Sequence, residues 1–261
     1  MMDDQDWGLF KNKLKAKTGI DLDLYKEAQM KRRIQNLVTR NGFNSFAGYF
    51  DECCKDKDDF AAFIEYLTIN VSEFFRTPEK FNLLETDIIP YLLKRSPKLN
   101  IWSAGCSIGA EPYSLSMIMR ELTPGKNHRI LASDLDIEIL AKARAGVYTE
   151  NELKAVTPAR LAKYFDKNDG KYAVKREIKS SIEFKRHNLL KDPFESNFDL
   201  ILCRNVVIYF TEQAKDQLYS NFLKALKPGG ILFVGATEAI LNFRKLGYTS
   251  YKPFFYQKPL A

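Results

Sequence analysis

Several apolar runs in the second half of the chain end in side chains that carry charge or form hydrogen bonds. The run FDLILCRNVVIYF is interrupted by Arg204 and Asn205. The run in LASDLD ends at Asp134, and the run in KRHNLL ends at Asn188. Polar groups at the ends of buried runs are costly unless they meet polar partners. Because parallel strands present their carboxyl ends at one edge of a sheet, these side chains are expected to outline a ligand cleft.

The turn SAGCSIGAEPYS indicates what kind of ligand the cleft takes. Gly105 and Gly109 let the backbone bend and approach a ligand, and Pro112 fits the first turn of the helix that follows. The glycine spacing differs from the GxGxxG turn on which a dinucleotide pyrophosphate sits. Glu111 would repel a pyrophosphate and attract a cation, an ammonium group or a hydroxyl. The turn therefore favours a ligand other than a dinucleotide.

Asp134 follows the second predicted strand, where an acidic side chain commonly binds a ribose diol. A second interpretation is that Ser133 and Asp134 cap the helix in DIEILAKARAG. The two roles are compatible, so a nucleoside ligand and a capped helix are both expected here.

Strand-like and helical patterns alternate from about residue 98 onwards. The strand-like runs are LNIWSA, RILASD, SIEFKRHNL, FDLILC and ILFVGAT, with FFYQK as a last strand. This alternation predicts an α/β fold with a doubly wound, mostly parallel sheet. Residues 164–187 instead predict a small antiparallel β subdomain, with Asn168, Asp169 and Gly170 supplying its turn.

Residues 1–80 predict helices joined by short polar turns, whereas 81–261 predict the larger α/β domain. In RNGFNS, Gly42 follows the end of one helix and Ser45 caps the next. A further helix is expected in DDFAAFIEYLT. The spacing of apolar residues in the first helices is helical at Leu24, Ala28, Ile34, Leu37 and Val38.

Composition excludes several classes of protein. The 261 residues are 45% hydrophobic, which is enough to bury one large and one small core. No run of about eighteen apolar residues could cross a bilayer, and the acidic start differs from a secretory leader, so a cytoplasmic protein without membrane insertion is expected. Four cysteines without CxxC spacing and two distant histidines predict no metal site and no disulfide framework.

Six motifs, in number, order and spacing, resemble the CheR-type chemoreceptor glutamate methyltransferases across nearly the whole chain. They are TINVSEFFR, IWSAGCSIGAEPYS, ILASDLD, HNLL, FDLILCRNVVIYF and LKPGGILFVGATE. The resemblance implies a four-helix amino-terminal domain and a class I S-adenosylmethionine-dependent methyltransferase domain with an inserted β subdomain. Ser72 stands where a threonine is common, and Ile108 and Ala110 replace a frequent threonine and glutamate. Ser72 keeps the hydroxyl and Glu111 is retained.

The resemblance also implies the site residues and the cofactor, S-adenosylmethionine, which leaves as S-adenosylhomocysteine. The implied cofactor contacts are Asn70, Ser72, Arg76, Glu111, Asp134, Asn188, Leu189, Arg204 and Asn205. Arg76 and Tyr209 are the expected catalytic residues. Arg76 would hold the cofactor or the non-attacking oxygen of a glutamate, and Tyr209 would position that carboxylate. A structural alternative for Tyr209 is an aromatic ring packed under the following helix.

The expected reaction needs no general base. A glutamate with a pKa of about 4.3 is ionised at neutral pH, so it can attack a sulfonium methyl directly. This accounts for a set of site residues without an obvious histidine. Proximity, alignment and partial desolvation remain for the protein to supply.

Residues 11–40 carry nine basic and three acidic residues, although the whole chain has a net charge of only +7. Such a cluster is often a solvated face. The resemblance favours docking on the acidic methylation helices of chemoreceptors, with Lys26 and Arg33, two turns apart, as the first choices. The predicted partner-binding residues are Lys26, Lys31, Arg32 and Arg33. The β subdomain is a second docking candidate, for a receptor tail peptide, and we expect that this protein does not use it.

Two other functions compete with this interpretation. A nucleic-acid methyltransferase usually carries an Asn/Asp-Pro-Pro-aromatic motif after the fourth strand, whereas this chain has RNVVIY, so no nucleic-acid partner is predicted. A non-catalytic adaptor would keep the fold and lose turnover. The intact cofactor positions argue against an adaptor.

Overall fold

The structure, a computed structural model, describes residues 2–68 and 72–260. It divides into two compact units. The first comprises Met1–Ile69 and Val207–Gln217, and the second comprises Asn70–Val206 and Leu218–Ala261. The short segment 207–217 thus belongs to the helical unit, although it lies far along the chain from the helices.

Four helices build the first unit within the described residues, as predicted. They are α1 (Asp4–Thr18), α2 (Glu27–Arg40), α3 (Phe46–Cys53) and α4 (Lys57–Thr68), with a 3-10 turn at Leu22–Leu24. The apolar spacing in α2 buries Met30, Ile34, Leu37 and Val38. Aromatic rings fill the core of the unit, with Phe10 packing edge-on against Phe50 and Phe63.

The predicted break between α2 and α3 is confirmed. Gly42 adopts a left-handed conformation with φ 79° just beyond α2. The Ser45 hydroxyl then accepts the Gly48 amide proton at 3.0 Å and caps α3. These are local interactions, which explains why sequence reasoning located them.

The second unit contains three helical segments before its first strand and four more helices that begin later in the chain. They are α5 (Pro78–Leu83), a π-helical turn (Leu84–Ile88), α6 (Ile89–Arg95), α7 (Ala110–Leu122), α8 (Ile137–Ala145), α9 (Pro158–Tyr164) and α10 (Arg176–Lys179). A further helix, α11, spans Glu212–Ala225. Nine of the thirteen residues of α7 are buried.

The described residues of the second unit form a seven-stranded sheet, and the predicted fold class is confirmed. Its strands are β1 (Asn100–Ala104), β2 (Arg129–Asp134), β6 (Ile182–Arg186), β7 (Phe198–Cys203), β8 (Leu226–Val234), β9 (Thr249–Lys252) and β10 (Phe255–Gln257). The order is β6-β2-β1-β7-β8-β10-β9. Six of these strands run in the same direction, and β10, which lies between β8 and β9, runs antiparallel to both neighbours.

The strand order reverses direction between β1 and β7, which places a topological switch point there. In sheets of this type the ligand crevice opens at the carboxyl ends of the strands beside the switch point. The register aligns Ala104 with Ser133 and Asp134 with Arg186, so the ends of β1, β2 and β6 lie at one edge.

A separate three-stranded antiparallel sheet of order β3-β5-β4 is formed by β3 (Val147–Tyr148), β4 (Phe165–Asn168) and β5 (Lys171–Val174). Its predicted turn is confirmed, with Asp169 and Gly170 at φ 47° and 74°. Only the first part of the segment 164–187 belongs to it. Residues 182–186 pair in parallel with β2 instead, because their backbone extends the main sheet.

Candidate active site

The turn after β1 is built around a glycine at which any side chain would be strained. Gly105 has φ 80°, and a Cβ atom there would lie 2.4 Å from Cγ2 of Val206. The amides of Gly105 and Cys106 donate to the Ser133 carbonyl at 2.8 and 2.9 Å. These bonds fasten the turn to the end of β2, which carries Asp134.

Asp134 accepts one backbone amide on each carboxylate oxygen. Ser107 N donates to Oδ2 at 2.8 Å, and Asp136 N donates to Oδ1 at 3.2 Å. Burial raises the pKa of Asp134, and these amides oppose the increase. A carboxylate offers about four acceptor positions, so after the amides of Ser107, Asp136 and Leu135 one remains for a ligand hydroxyl.

The alternative that Ser133 and Asp134 cap the next helix is wrong. Asp136 is the cap, because its side chain accepts the amides of Glu138 and Ile139 at the start of α8. The Ser133 hydroxyl accepts Nε1–H of Trp102 at 2.9 Å. Asp134 therefore does not cap the helix. Its predicted role in binding a ribose stays a prediction.

Arg204 and Glu111 form a buried ion pair at the ends of β7 and α7. Nη1 of Arg204 lies 3.2 Å from Oε2 of Glu111, and their side chains are 4% and 13% exposed. The Ser103 hydroxyl donates to Oε1 of Glu111 at 2.8 Å. The guanidinium of Arg204 also lies over the Phe233 ring at 4.6 Å.

Arg204 also holds the segment that contains Arg76. Its Nη2 donates to the Arg76 carbonyl at 2.8 Å and to the Thr77 hydroxyl at 3.2 Å. The prediction that Arg204 contacts a nucleoside stays a prediction. The structure gives Arg204 a structural role as well, because its guanidinium joins the end of β7 to α7 and to residues 76–77.

Strained backbone surrounds this ion pair. Seven non-glycine residues in the described part of the chain have positive φ, and four of them lie around the candidate site: Phe75, Thr77, Ser107 and Asn205. Thr77, at φ 64°, is β-branched and therefore the least suited to this conformation. Strain of this kind persists only where the surroundings enforce it, and it concentrates at functional sites.

Glu238 is a site residue that sequence reasoning did not identify. It is 5% exposed, and its Oε2 accepts the amides of Asn205 at 2.6 Å and Gly235 at 2.9 Å. These bonds help to hold Asn205 in its left-handed conformation, at φ 59°. The signal was the acidic end of LKPGGILFVGATE, directly after the apolar run of β8.

Asn188 and Leu189 begin the loop after β6. Asn188 N donates to Oδ2 of Asp192 at 2.8 Å, and Oδ1 of Asn188 accepts Leu190 N at 3.0 Å. The preceding amide, of His187, donates to the Asp134 carbonyl at 2.9 Å. The Asn188 loop is therefore tied to Asp134, the last residue of β2.

The remaining predicted site residues lie in three places. Asn70 lies outside the described residues. Ser72 and Arg76 are half-buried in the second unit. Tyr209 belongs to the first unit, at the end of the 3-10 turn Val207–Tyr209.

The predicted partner-binding residues differ in whether their side chains already bond to other residues of the helical unit. Nζ of Lys26 donates to the Ile208 carbonyl at 3.0 Å, and Nη2 of Arg33 donates to the Tyr66 carbonyl at 2.6 Å. Lys31 pairs with Asp4. Arg32 is exposed and forms no ion pair with the described residues. Of the four, Arg32 is the side chain best placed to meet an external partner.

The cleft residues fit a nucleoside that carries a cationic group. Oγ of Ser107 and Nε of Arg204 are buried without a hydrogen-bond partner among the described residues, so both are available to a polar ligand. Two acidic side chains, Asp134 and Glu111, lie at the same sheet edge. In the described part of the chain, no three His, Cys, Asp or Glu side chains gather as metal ligands. Nor is any helix there long and apolar enough to pass through a membrane.

A mostly parallel seven-stranded sheet, a glycine turn after β1 and an acid at the end of β2 form a nucleoside-binding α/β fold, which the class I S-adenosylmethionine-dependent methyltransferases share. Comparison with known families agrees. Residues 70–252 match the CheR methyltransferase, SAM binding domain, and residues 5–68 match the CheR methyltransferase, all-alpha domain. The chain belongs to the CheR methyltransferase family, which confirms the resemblance.

Curated relatives match along most of their length. The chemotaxis protein methyltransferase of Listeria monocytogenes is 40% identical over 256 residues, covering 98% of each chain. That of Escherichia coli is 34% identical, covering 88% of this chain and 82% of the relative. Among solved structures, the glycopeptide N-methyltransferase MtfA with S-adenosyl-L-methionine gives a TM-score of 0.36 at 13% identity, covering 57% of this chain and 53% of that chain. That likeness is too distant to bear on the activity.

Proposed function

We infer that this protein transfers a methyl group from S-adenosylmethionine to glutamate carboxylates on the cytoplasmic methylation helices of chemoreceptors. The product would be a glutamate methyl ester, and the protein would be a cytoplasmic protein-glutamate O-methyltransferase of sensory adaptation. Family membership, and relatives named as chemotaxis protein methyltransferases, support this role.

The observation that carries the proposal is the pair of acids at the carboxyl edge of the sheet. Asp134 keeps acceptor capacity for a ribose hydroxyl after accepting the amides of Ser107, Asp136 and Leu135. Glu111, held by Ser103 and Arg204 at the same edge of the sheet, would attract the ammonium group of the methionine portion. Arg204 limits the negative charge that Glu111 adds, because it pairs with one of its oxygens.

When bound, S-adenosylmethionine supplies a methyl group on a positively charged sulfur. Ser72, Asn188, Leu189 and Asn205 would complete its binding, and Arg76 would pair with its carboxylate. Arg204 supports Arg76 indirectly, since it holds the Arg76 carbonyl at 2.8 Å. The predicted contact of Asn70 belongs to the same proposal.

The protein then has to orient an anion and keep it poorly solvated. A glutamate of ordinary pKa arrives already ionised, so none of these residues has to remove a proton. A strong bond from Arg76 to the attacking oxygen would reduce its nucleophilicity, so Arg76 would hold the other oxygen or the cofactor. The Tyr209 hydroxyl would donate to the carboxylate and orient it.

Receptor docking would use the basic surface of α2. Arg32 is exposed there, and the neighbouring Lys31 and Arg33 add positive charge even though they bond within the helical unit. An acidic helix would be attracted to this surface, and the attraction would weaken as salt rises. We expect no nucleic-acid partner.

The decisive experiment uses a labelled methyl donor and receptor cytoplasmic fragments. We expect label on the fragment that is released as methanol in mild base, because carboxyl methyl esters hydrolyse under those conditions. Label that survives base would indicate nitrogen or carbon methylation and would refute the glutamate assignment. Receptor fragments with the target glutamates changed to alanine provide the matched control. Absence of any heat of binding with S-adenosylmethionine would instead indicate a non-catalytic adaptor.

A further inference from the structure

A short ladder of hydrogen bonds joins the segment before α2 to the segment that carries Tyr209. Lys26 N donates to the Tyr209 carbonyl at 2.8 Å, and Thr211 N donates to the Leu24 carbonyl at 2.9 Å. Between them, Tyr25 pairs with Phe210 as an isolated antiparallel bridge. All of these residues belong to the helical unit.

Side chains reinforce this ladder. The Tyr25 and Phe210 rings pack edge to face, with centroids 5.0 Å apart and an interplanar angle of 83°. Phe210 is only 5% exposed, and its amide closes the 3-10 turn by donating to the Val207 carbonyl at 3.0 Å. The turn is therefore anchored on its carboxyl side.

Lys26 makes a second bond that fixes the other side of Tyr209. Its Nζ donates to the Ile208 carbonyl at 3.0 Å. The Ile208 carbonyl lies in the peptide plane that precedes Tyr209, and the Tyr209 carbonyl lies in the plane that follows it. Holding both planes restricts φ and ψ of Tyr209 and so sets the direction of its Cα–Cβ bond. A bond from an ammonium to a carbonyl is stronger than a neutral one.

We propose that Lys26 is a positioning residue for Tyr209 and not a contact for the receptor. The proposal rests on the role of Tyr209 given under Proposed function. It also links docking with catalysis, because the Lys26 carbonyl accepts the amides of Gln29 and Met30, each at 3.1 Å, at the first turn of α2. A displacement of the start of α2 would therefore be transmitted to Tyr209 through Lys26 alone.

The test separates positioning from docking through kcat and KM for receptor fragments. Lys26→Met is expected to lower kcat about tenfold, the usual effect of losing a hydrogen bond to a charged group, while KM changes by less than about twofold. Arg32→Gln should mainly raise KM. Lys55→Met is the matched control, since Lys55 is an exposed lysine of the same unit paired with Glu52, and it should behave like wild type.

A conservative variant gives a second discrimination. Lys26→Arg keeps the positive charge, so a docking role predicts normal kinetics. Positioning predicts that kcat stays reduced, because the longer, planar guanidinium does not reproduce the bond from Nζ to the Ile208 carbonyl. Normal kinetics of Lys26→Arg, or a rise in KM alone for Lys26→Met, would overturn the proposal.

A double-mutant cycle tests whether Lys26 acts through Tyr209. In a Tyr209→Phe background, Lys26→Met should lower kcat by less than about twofold, because coupled residues are non-additive. Two effects that multiply would overturn the inference. If Tyr209→Phe alone leaves kcat unchanged, the inference fails while base-labile methylation in the same assay still supports the proposed function.

A measurement that does not depend on activity can test the proposal even in variants that turn over too slowly to assay. Hydrogen exchange of the free protein should show the Thr211 amide exchanging about tenfold faster in Lys26→Met, because its partner segment is released. Lys55→Met should leave this rate unchanged. Unaltered exchange in Lys26→Met would mean that Lys26 does not hold the turn.

Discussion

The carboxyl edge of the sheet and the basic surface of α2 use the same kind of charged pair for different purposes. Arg204 and Glu111 pair with side chains 4% and 13% exposed, whereas Lys31 and Asp4 pair at 26% and 97% exposure. In the first region each partner neutralises a charge that is largely shielded from water. In the second, water solvates both partners, so the pair contributes little. Burial, not the presence of a pair, decides which charges the fold depends on.

The largest expected effect comes from breaking the buried pair. Arg204→Met leaves Glu111 as an uncompensated buried charge and should lower the free energy of unfolding by about 3–5 kcal/mol. It also releases the Arg76 carbonyl and the Thr77 hydroxyl, so methyl transfer should be lost. Urea unfolding measures the first effect. Lys31→Met is the exposed counterpart, and an equal loss of stability in the two variants would contradict the comparison.

Arg76→Ala should have a large effect on activity and a small one on stability. We expect the rate of methyl transfer to fall by at least about 100-fold, since misplaced reacting groups cost about that much. The carbonyl that Arg204 holds is part of the main chain and survives the substitution. Calorimetry with S-adenosylmethionine should show weaker binding. Near-normal turnover would refute the proposed role of Arg76.

Arg33 and Arg32 are adjacent and offer a comparison within α2. Arg33→Ala removes two hydrogen bonds to the Tyr66 carbonyl and a guanidinium 4.2 Å from the Tyr66 ring, so it should cost about 1–3 kcal/mol of stability. Arg32→Ala should leave stability unchanged and raise KM for receptor fragments, most clearly at low salt. Thermal unfolding and kinetics at two salt concentrations separate them. A salt-dependent KM only in Arg33→Ala would reverse the assignment.

The smallest expected effect is a pH dependence from the two histidines. Burial lowers the pKa of both His187 and His128 from the ordinary 6.5, so the unfolded chain binds their protons more readily than the folded one. The free energy of unfolding should therefore decrease as pH falls below about 6.5, by at most about 1.4 kcal/mol per pH unit for each histidine. His187 packs against Trp102 and Phe194, so His187→Phe should reduce this slope. An unchanged slope would show that His187 does not contribute.

Several features followed from the sequence because they depend on nearby residues. The cap at Ser45, the turn at Asp169 and Gly170, and the alternation of strands and helices are all local or periodic. Strand ends of a parallel sheet share one edge whatever the details of packing, so Asp134 and Arg204 could be assigned to one edge of the sheet. The missed local detail was the cap of α8, where Asp136 competes with its neighbour Asp134.

Only the tertiary structure decided which partners the individual charged side chains bond to. In the sequence Lys26 is one of a cluster of basic residues, yet its ammonium group donates to a carbonyl 182 positions away in the chain. Sequence reasoning did not identify Glu238, yet its carboxylate accepts the amide of Asn205, 33 positions earlier in the chain. The physical reason is that a charge on its own specifies no partner. Which carbonyl, amide or carboxylate it meets depends on how distant segments pack, and periodicity and spacing carry no information about that.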